Sequence, residues 1–227
     1  MKVLIACEES QRECIAFRER GYEAYSCDIQ DCSGGHPEWH IKGDALEAIR
    51  GGTVTTCDGL RHDIGKWDLL IAHPPCTYMT AASACRMYPR KGVLDTERLR
   101  KALEAKAFFE SLLAAPVERI AVENPVPLKC VGLPKETQRI EPWEYALDES
   151  EYYTKRTCLW LKGLPKLVPV RVVKPDGVVP FVNAGSKRAD GTARMRVGKV
   201  HTTKERSKAF IGIAKAMSEQ WGYYETL

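Results

Sequence analysis

Trp67-Asp68-Leu69-Leu70-Ile71-Ala72-His73-Pro74-Pro75-Cys76 is the stretch on which the reading of this chain turns. Its first six residues read as a buried strand, and two prolines then fix the backbone and present Cys76 at the strand's end. Upstream, Lys2–Cys7 reads as a strand, Gln11–Arg20 as a short helix stopped by Gly21, and Glu23–Cys27 as a second strand ending on Asp28. Gly34, Gly35 and Pro37 mark a loop, and Ile41–Asp44 forms a third short strand. Downstream, Thr96–Ala115 is a long helix with Leu99, Ala102, Leu103, Phe109, Leu112 and Leu113 on one side, and Glu118–Glu123 is a fifth strand. Strands alternating with helices predict an α/β fold, with a mostly parallel sheet covered on both faces.

The later part changes character. Thr157–Leu161 reads as a strand, Val168–Val173 and Val178–Val182 as β-rich pieces punctuated by proline, and Glu205–Trp221 as one helix. Phe210, Ile213, Ala214, Met217 and Trp221 line that helix at helical spacing, so it is expected to pack back on the sheet. The boundary near Gly163 gives a core over 1–163, a small basic insertion over 164–204 and a C-terminal helix over 205–227.

With 227 residues, 44% of them apolar and 28% charged, the chain has material for one sizeable core. Its apolar runs fall far short of the roughly 20 residues of a membrane span. Glu8 and Glu9 interrupt the N-terminus before a signal-like stretch can form, and nine irregularly spaced cysteines suit a reduced, cytoplasmic protein. The charge is divided: residues 1–150 carry 19 Lys+Arg against 24 Asp+Glu, and residues 151–227 carry 15 against 6. That asymmetry points the C-terminal third at a polyanion. Lys187, Arg188, Arg194 and Arg196, with Lys199, Lys204 and Arg206, are the candidate contacts.

Ligands of open α/β sheets sit at the carboxyl ends of the strands. Cys7, Glu8, Glu9 and Ser10 follow the first strand, Asp28 the second, Asp44 the third, Cys76 the fourth and Glu123 the fifth. The first turn contains no glycine, which argues against a pyrophosphate and for a cofactor carrying an amino acid and a nucleoside. Asp28 suits ribose hydroxyls, and Pro74 borders the cofactor side of its turn. A cysteine held over a cleft can act as a covalent nucleophile, and a partly buried Glu123 with a raised pKa could protonate a base nitrogen. Cys27, Cys32, His36 and His40 lack the second tight pair of a familiar zinc pattern, so no metal is expected. Trp143, Tyr145, Tyr152 and Tyr153 read as packing residues rather than base-stacking ones.

Pro74-Pro75-Cys76 followed by Glu123-Asn124 resembles the cysteine and Glu-Asn motifs of cytosine-C5 DNA methyltransferases. The run Ala72–Tyr78, with Val122–Pro125, Lys155–Leu161 and the end Ala214–Gly222, looks like short phage-type members of that family. The resemblance implies a Rossmann-like fold, S-adenosylmethionine as cofactor and DNA as partner. Cys76 would then attack C6 of cytosine, Glu123 would engage N3, and Arg156 would contact the base or stabilise its loop. For duplex DNA the base must be flipped out, and Arg86, Arg90 and Lys91 could hold phosphates as the catalytic loop closes. Two departures stand out: Cys7–Arg12 replaces the family's glycine-bearing cofactor turn, and His73 replaces a glycine before Pro-Pro. Three alternatives stay open: methylation of an exocyclic amine, whose enzymes also use a Pro-Pro turn; methylation of a free cytosine nucleotide, given the short recognition segment; and nucleic-acid binding without catalysis, given the glycine-free first turn.

Overall fold

A computed structural model describes residues 1–183 and 199–222 of the chain. Strand and helix alternate at first: β1 (Lys2–Ala6), α1 (Arg12–Arg18), β2 (Glu23–Asp28), β3 (His40–Lys42) and α2 (Ala45–Ala48). A polar hairpin of β4 (Gly52–Thr55) and β5 (Arg61–Gly65) leads into β6 (Leu69–Ala72), α3 (Ala84–Met87), α4 (Thr96–Leu113) and β7 (Arg119–Pro125). There follow β8 (Gln138–Ile140), β9 (Tyr153–Thr154), β10 (Thr157–Lys162), β11 (Val179–Asn183), β12 (Lys199–His201), α5 (Thr203–Ser207) and α6 (Ile211–Gly222).

Seven strands form one sheet in the order β3-β2-β1-β6-β7-β10-β8. The first five of these run parallel, and β10 lies antiparallel between β7 and β8. The order runs outward from β1 to β3 and resumes on the other side at β6, so the topological switch lies between β1 and β6. This is the Rossmann-like arrangement expected of the family resemblance. β9, β11 and β12 make a separate three-stranded sheet.

Strand alternation divides the core. Leu4, Ala6, Leu70 and Ala72 face α2, the hairpin and α4, whereas Val3, Ile5, Leu69 and Ile71 face α1 and α6. Trp221 is fully buried on α6 and donates its indole N–H to Pro165 O at 3.0 Å, which ties that helix to the chain after β10.

Several sequence expectations need correction. On α4 the buried face is Ala102, Phe109 and Leu112, while Leu103 is exposed, because it lies about 100° round the helix from Ala102. Val168–Val173 is not a strand: Pro169 interrupts it, and Val168, Val170, Val172 and Val173 are exposed. The expected single helix over Glu205–Trp221 is two helices, broken where Lys208 turns extended. The hairpin was not foreseen, since only Val54 and Ile64 on it face the core. No helix among the described residues is long and apolar enough to cross a membrane.

Candidate active site

Strand register brings the site together. Ala6 pairs with Cys27 on one side and with Ala72 on the other, and Ala72 pairs with Val122. Cys7, Asp28, His73 and Glu123 therefore leave the sheet at one edge. His73 N donates to Ala6 O at 2.9 Å, so the switch point is closed by main chain.

A cleft of about 430 Å³ opens there, and Cys7, Glu8, Glu9, Ser10, Asp28 and Asp44 line it. Glu13, His73, Pro75, Phe108, Ser207 and Ala209 also stand on its wall. Pro74, the proline expected at this wall, is buried behind it, and Pro75 takes that place. Asp28 Oδ1 accepts from Gln30 N at 2.9 Å, and Asp44 Oδ1 caps α2 through Leu46 N at 2.8 Å.

The glycine-free first turn folds by other means. Cys7 and Gln11 take left-handed backbone conformations, with φ 61 and 59, that cost a side-chain-bearing residue energy. Gln11 is held there by its own amide, which donates to His36 O at 2.8 Å and accepts from His36 N at 3.1 Å. Close approach falls instead to Gly34: a Cβ there would stand 2.6 Å from Gln11 Cβ and 2.8 Å from Ser10 O.

The cleft is rich in carboxylates. Glu8 accepts from Glu13 N at 2.7 Å and Cys14 N at 3.3 Å, so it caps the start of α1. Burial, and then the charge of Glu13, push its carboxyl up to about 8. Glu13 is 1% exposed, and its Oε1 has no hydrogen-bond partner among the described residues. Both carboxylate oxygens of Glu9 are likewise buried without one. Orphaned acceptors on a cleft wall call for a donor cation from the ligand.

His73 bridges two of the acids. Its Nε2 lies 2.6 Å from Glu13 Oε2 and its Nδ1 lies 3.2 Å from Glu123 Oε2. Burial alone would favour the neutral ring, but the Glu13 charge and the bonds to both carboxylates hold its pKa well above the ordinary 6.5. The same contact reverses the expectation for Glu123. Burial pushes that carboxyl up, yet the His73 hydrogen bond and charge, with Lys155, bring it below the usual range.

Cys76 is half-buried at the head of a pinned turn. Asn124 Nδ2 donates to Pro74 O at 3.3 Å, Arg98 donates to Thr77 O at 2.9 Å, and the Arg98 guanidinium covers the Tyr78 ring at 4.9 Å. Burial and the Glu123 charge raise the thiol's pKa, while Lys155 and Arg206 pull it down. Lys155 donates to Arg206 O at 2.8 Å, and burial depresses its own pKa.

Arg156, the expected base contact, does not join this group. Its guanidinium is exposed and pairs with Glu141 at 3.3 Å, because neighbouring side chains at the entry to β10 point opposite ways. Lys155 takes the inward position. Arg86, Arg90 and Lys91 stand exposed between the Cys76 turn and α4. Lys187, Arg188, Arg194 and Arg196 lie outside the described residues. Among the described residues no group of three or more metal-ligating side chains forms. His40 is buried against Ser26 at 2.9 Å, and His36 stacks on Trp39.

Glu13, Lys155 and Phe108 were missed by sequence reasoning, and no local signal marked them. Their roles come from helix faces and strand register.

No protein-family model matches the chain, and no curated protein matches it. Among solved structures it is similar to a protein from E. coli described as a DNA modification methyltransferase encoded within a prophage, at 12% identity and a TM-score of 0.41. The match covers 77% of this chain and 52% of the other, so it spans about half of that protein's length.

Proposed function

We propose that this chain is an S-adenosylmethionine-dependent methyltransferase acting on C5 of cytosine in DNA. The observation that carries the reading is one juxtaposition: a cleft lined by Glu8, Glu9, Glu13, Asp28 and Asp44 ends at the Pro-Pro turn bearing Cys76, beside Glu123. The residues fit the cofactor. Its ammonium and sulfonium groups are cations, matching the unpartnered oxygens of Glu13 and Glu9, and Asp28 at the end of β2 suits ribose hydroxyls. When bound there, S-adenosylmethionine would supply an electrophilic methyl group.

The chain's own residues would do the rest. The Cys76 thiolate adds to C6 of the base, and Glu123 at the neighbouring strand end engages N3 so that the ring accepts those electrons. Lys155 and Arg206 favour the thiolate, against burial and the Glu123 charge, which oppose it. Asn124 and Arg98 hold the turn against displacement. We assign segment 164–204, with Arg86, Arg90 and Lys91, to contacts with the nucleic acid, and residues 1–163 to catalysis.

Methylation of an exocyclic amine is less well supported, since Cys76 and not an aromatic residue follows the Pro-Pro turn, and the Tyr78 ring two residues on is covered by Arg98. Binding of S-adenosylmethionine by calorimetry, followed by labelled methyl transfer to duplex DNA and to deoxycytidine monophosphate in parallel, tests the proposal. Transfer to duplex DNA supports it. Transfer to the nucleotide alone moves the substrate to the free pool, and salt-dependent DNA binding without cofactor binding ends the enzymatic reading.

A further inference from the structure

Resting on that reading, we propose that His73 is a positioning residue that acts through Glu123. Held as an imidazolium between Glu13 and Glu123, it supplies the proton that Glu123 passes to the substrate ring. The geometry fits the doubly protonated form. Each ring nitrogen faces a carboxylate oxygen, at 2.6 and 3.2 Å, and an ionised carboxylate can only accept. A neutral imidazole has one N–H and would leave a nitrogen lone pair against an oxygen. The main chain that carries the ring is fixed, bonded to Ala6 and followed by two prolines.

The surroundings fit a relay. Glu8 and Glu13 approach from the first turn and α1, Glu123 from β7, and Lys155 from the entry to β10. Cys76 lies on the same loop as His73, and Arg206 on α5 faces that thiol. Glu123 rests ionised here, so it holds no proton of its own to give to N3. Its hydrogen-bond donor is His73 Nδ1.

The step balances. The Nδ1 proton moves to Glu123 Oε2 and on to N3 as the thiolate adds at C6. His73 becomes neutral and keeps its Nε2–H on Glu13. When the C5 proton has left to solvent and the thiolate departs, the N3 proton returns by the same path. The Cys76 thiol gives its proton to solvent before it adds, and beyond the methyl donor and solvent no other reactant is required.

Two measurements test this separately from the reaction class. In the ligand-free protein, nitrogen NMR of labelled histidine should show both His73 ring nitrogens protonated at pH 7.5. A neutral, single-tautomer ring there overturns the relay even if methyl transfer is observed. At saturating cofactor and DNA, His73→Asn should lower kcat about 100-fold or more with KM little changed, the scale of general-acid catalysis. It should also abolish the alkaline fall of the wild-type pH profile.

Glu13→Gln, which leaves the imidazole in place, should move that alkaline fall to lower pH by about one unit or more. A uniform loss at all pH values, with the profile unmoved in both variants, would mean a merely structural histidine and overturn the proposal. A doubly protonated ring in a wild type that methylates no cytosine overturns the proton's destination, and with it the cytosine reading.

Discussion

Replacing Glu8 with glutamine isolates the cost of the acidic cleft. Glu8 is fully enclosed, and its carboxyl is pushed from the ordinary 4.5 to about 8, first by burial and then by Glu13. A raised carboxyl pKa stabilises the fold most at acid pH, where both states are protonated. That stability is lost as pH climbs through the interval from 4.5 to 8, where the unfolded chain ionises and the folded one does not. At pH 7 the penalty is on the order of 3 kcal/mol. Glutamine keeps a carbonyl oxygen for Glu13 N but loses the weaker acceptor to Cys14 N, a cost of about 1 kcal/mol. Glu8→Gln should therefore be more stable than wild type by about 2 kcal/mol at pH 7 and level with it, or slightly less stable, near pH 5. Urea titrations followed by tryptophan fluorescence between pH 5 and 8.5 measure the difference. Parallel loss of stability in the two proteins across that range would refute a protonated Glu8.

Four further outcomes are expected. A cationic ligand entering the cleft should draw the proton from Glu8, so the calorimetric enthalpy of S-adenosylmethionine binding should differ between phosphate and Tris at pH 7. Glu13→Gln should weaken that binding about tenfold to 100-fold, the value of one charge-assisted hydrogen bond. Gly34→Ala drives a Cβ into Gln11 and the Ser10 carbonyl, so it should cost about 1–3 kcal/mol of stability and weaken cofactor affinity, read by thermal shift with and without ligand. Arg156→Ala removes only an exposed ion pair, worth about 0–1 kcal/mol, and should leave methyl transfer within about twofold, whereas Lys155→Met should lower it at least tenfold and raise the Cys76 thiol pKa in a thiol-alkylation assay.

The parallel sheet and the strand ends were legible because continuous apolar runs ending in turn residues carry their own signal. Cys7, Glu8, Glu9, Ser10, Asp28 and Asp44 could be placed on one rim from that pattern alone. The His73 bridge could not. Glu13, His73 and Glu123 are far apart in the chain and meet only when β1, β6 and β7 lie in register, with α1 turned so that Glu13 faces inward. Lacking that partner, the sequence argument assigned Glu123 a raised pKa from burial, and the imidazolium reverses the sign. Arg156 and Lys155 were confused for a simpler reason. Adjacent residues entering a strand face opposite sides, and a register error of one residue exchanges them. Val168–Val173 failed because β-branched composition cannot override prolines that remove ladder donors.

The most direct test is to express the protein in a host without DNA methylation of its own and quantify modified nucleosides by mass spectrometry, with Cys76→Ala in parallel. The expected result is 5-methylcytosine in DNA from cells carrying the wild type and none from the variant. N4-methylcytosine or N6-methyladenine, no methylated base at all, or 5-methylcytosine persisting in the variant would contradict covalent catalysis by Cys76 at cytosine C5.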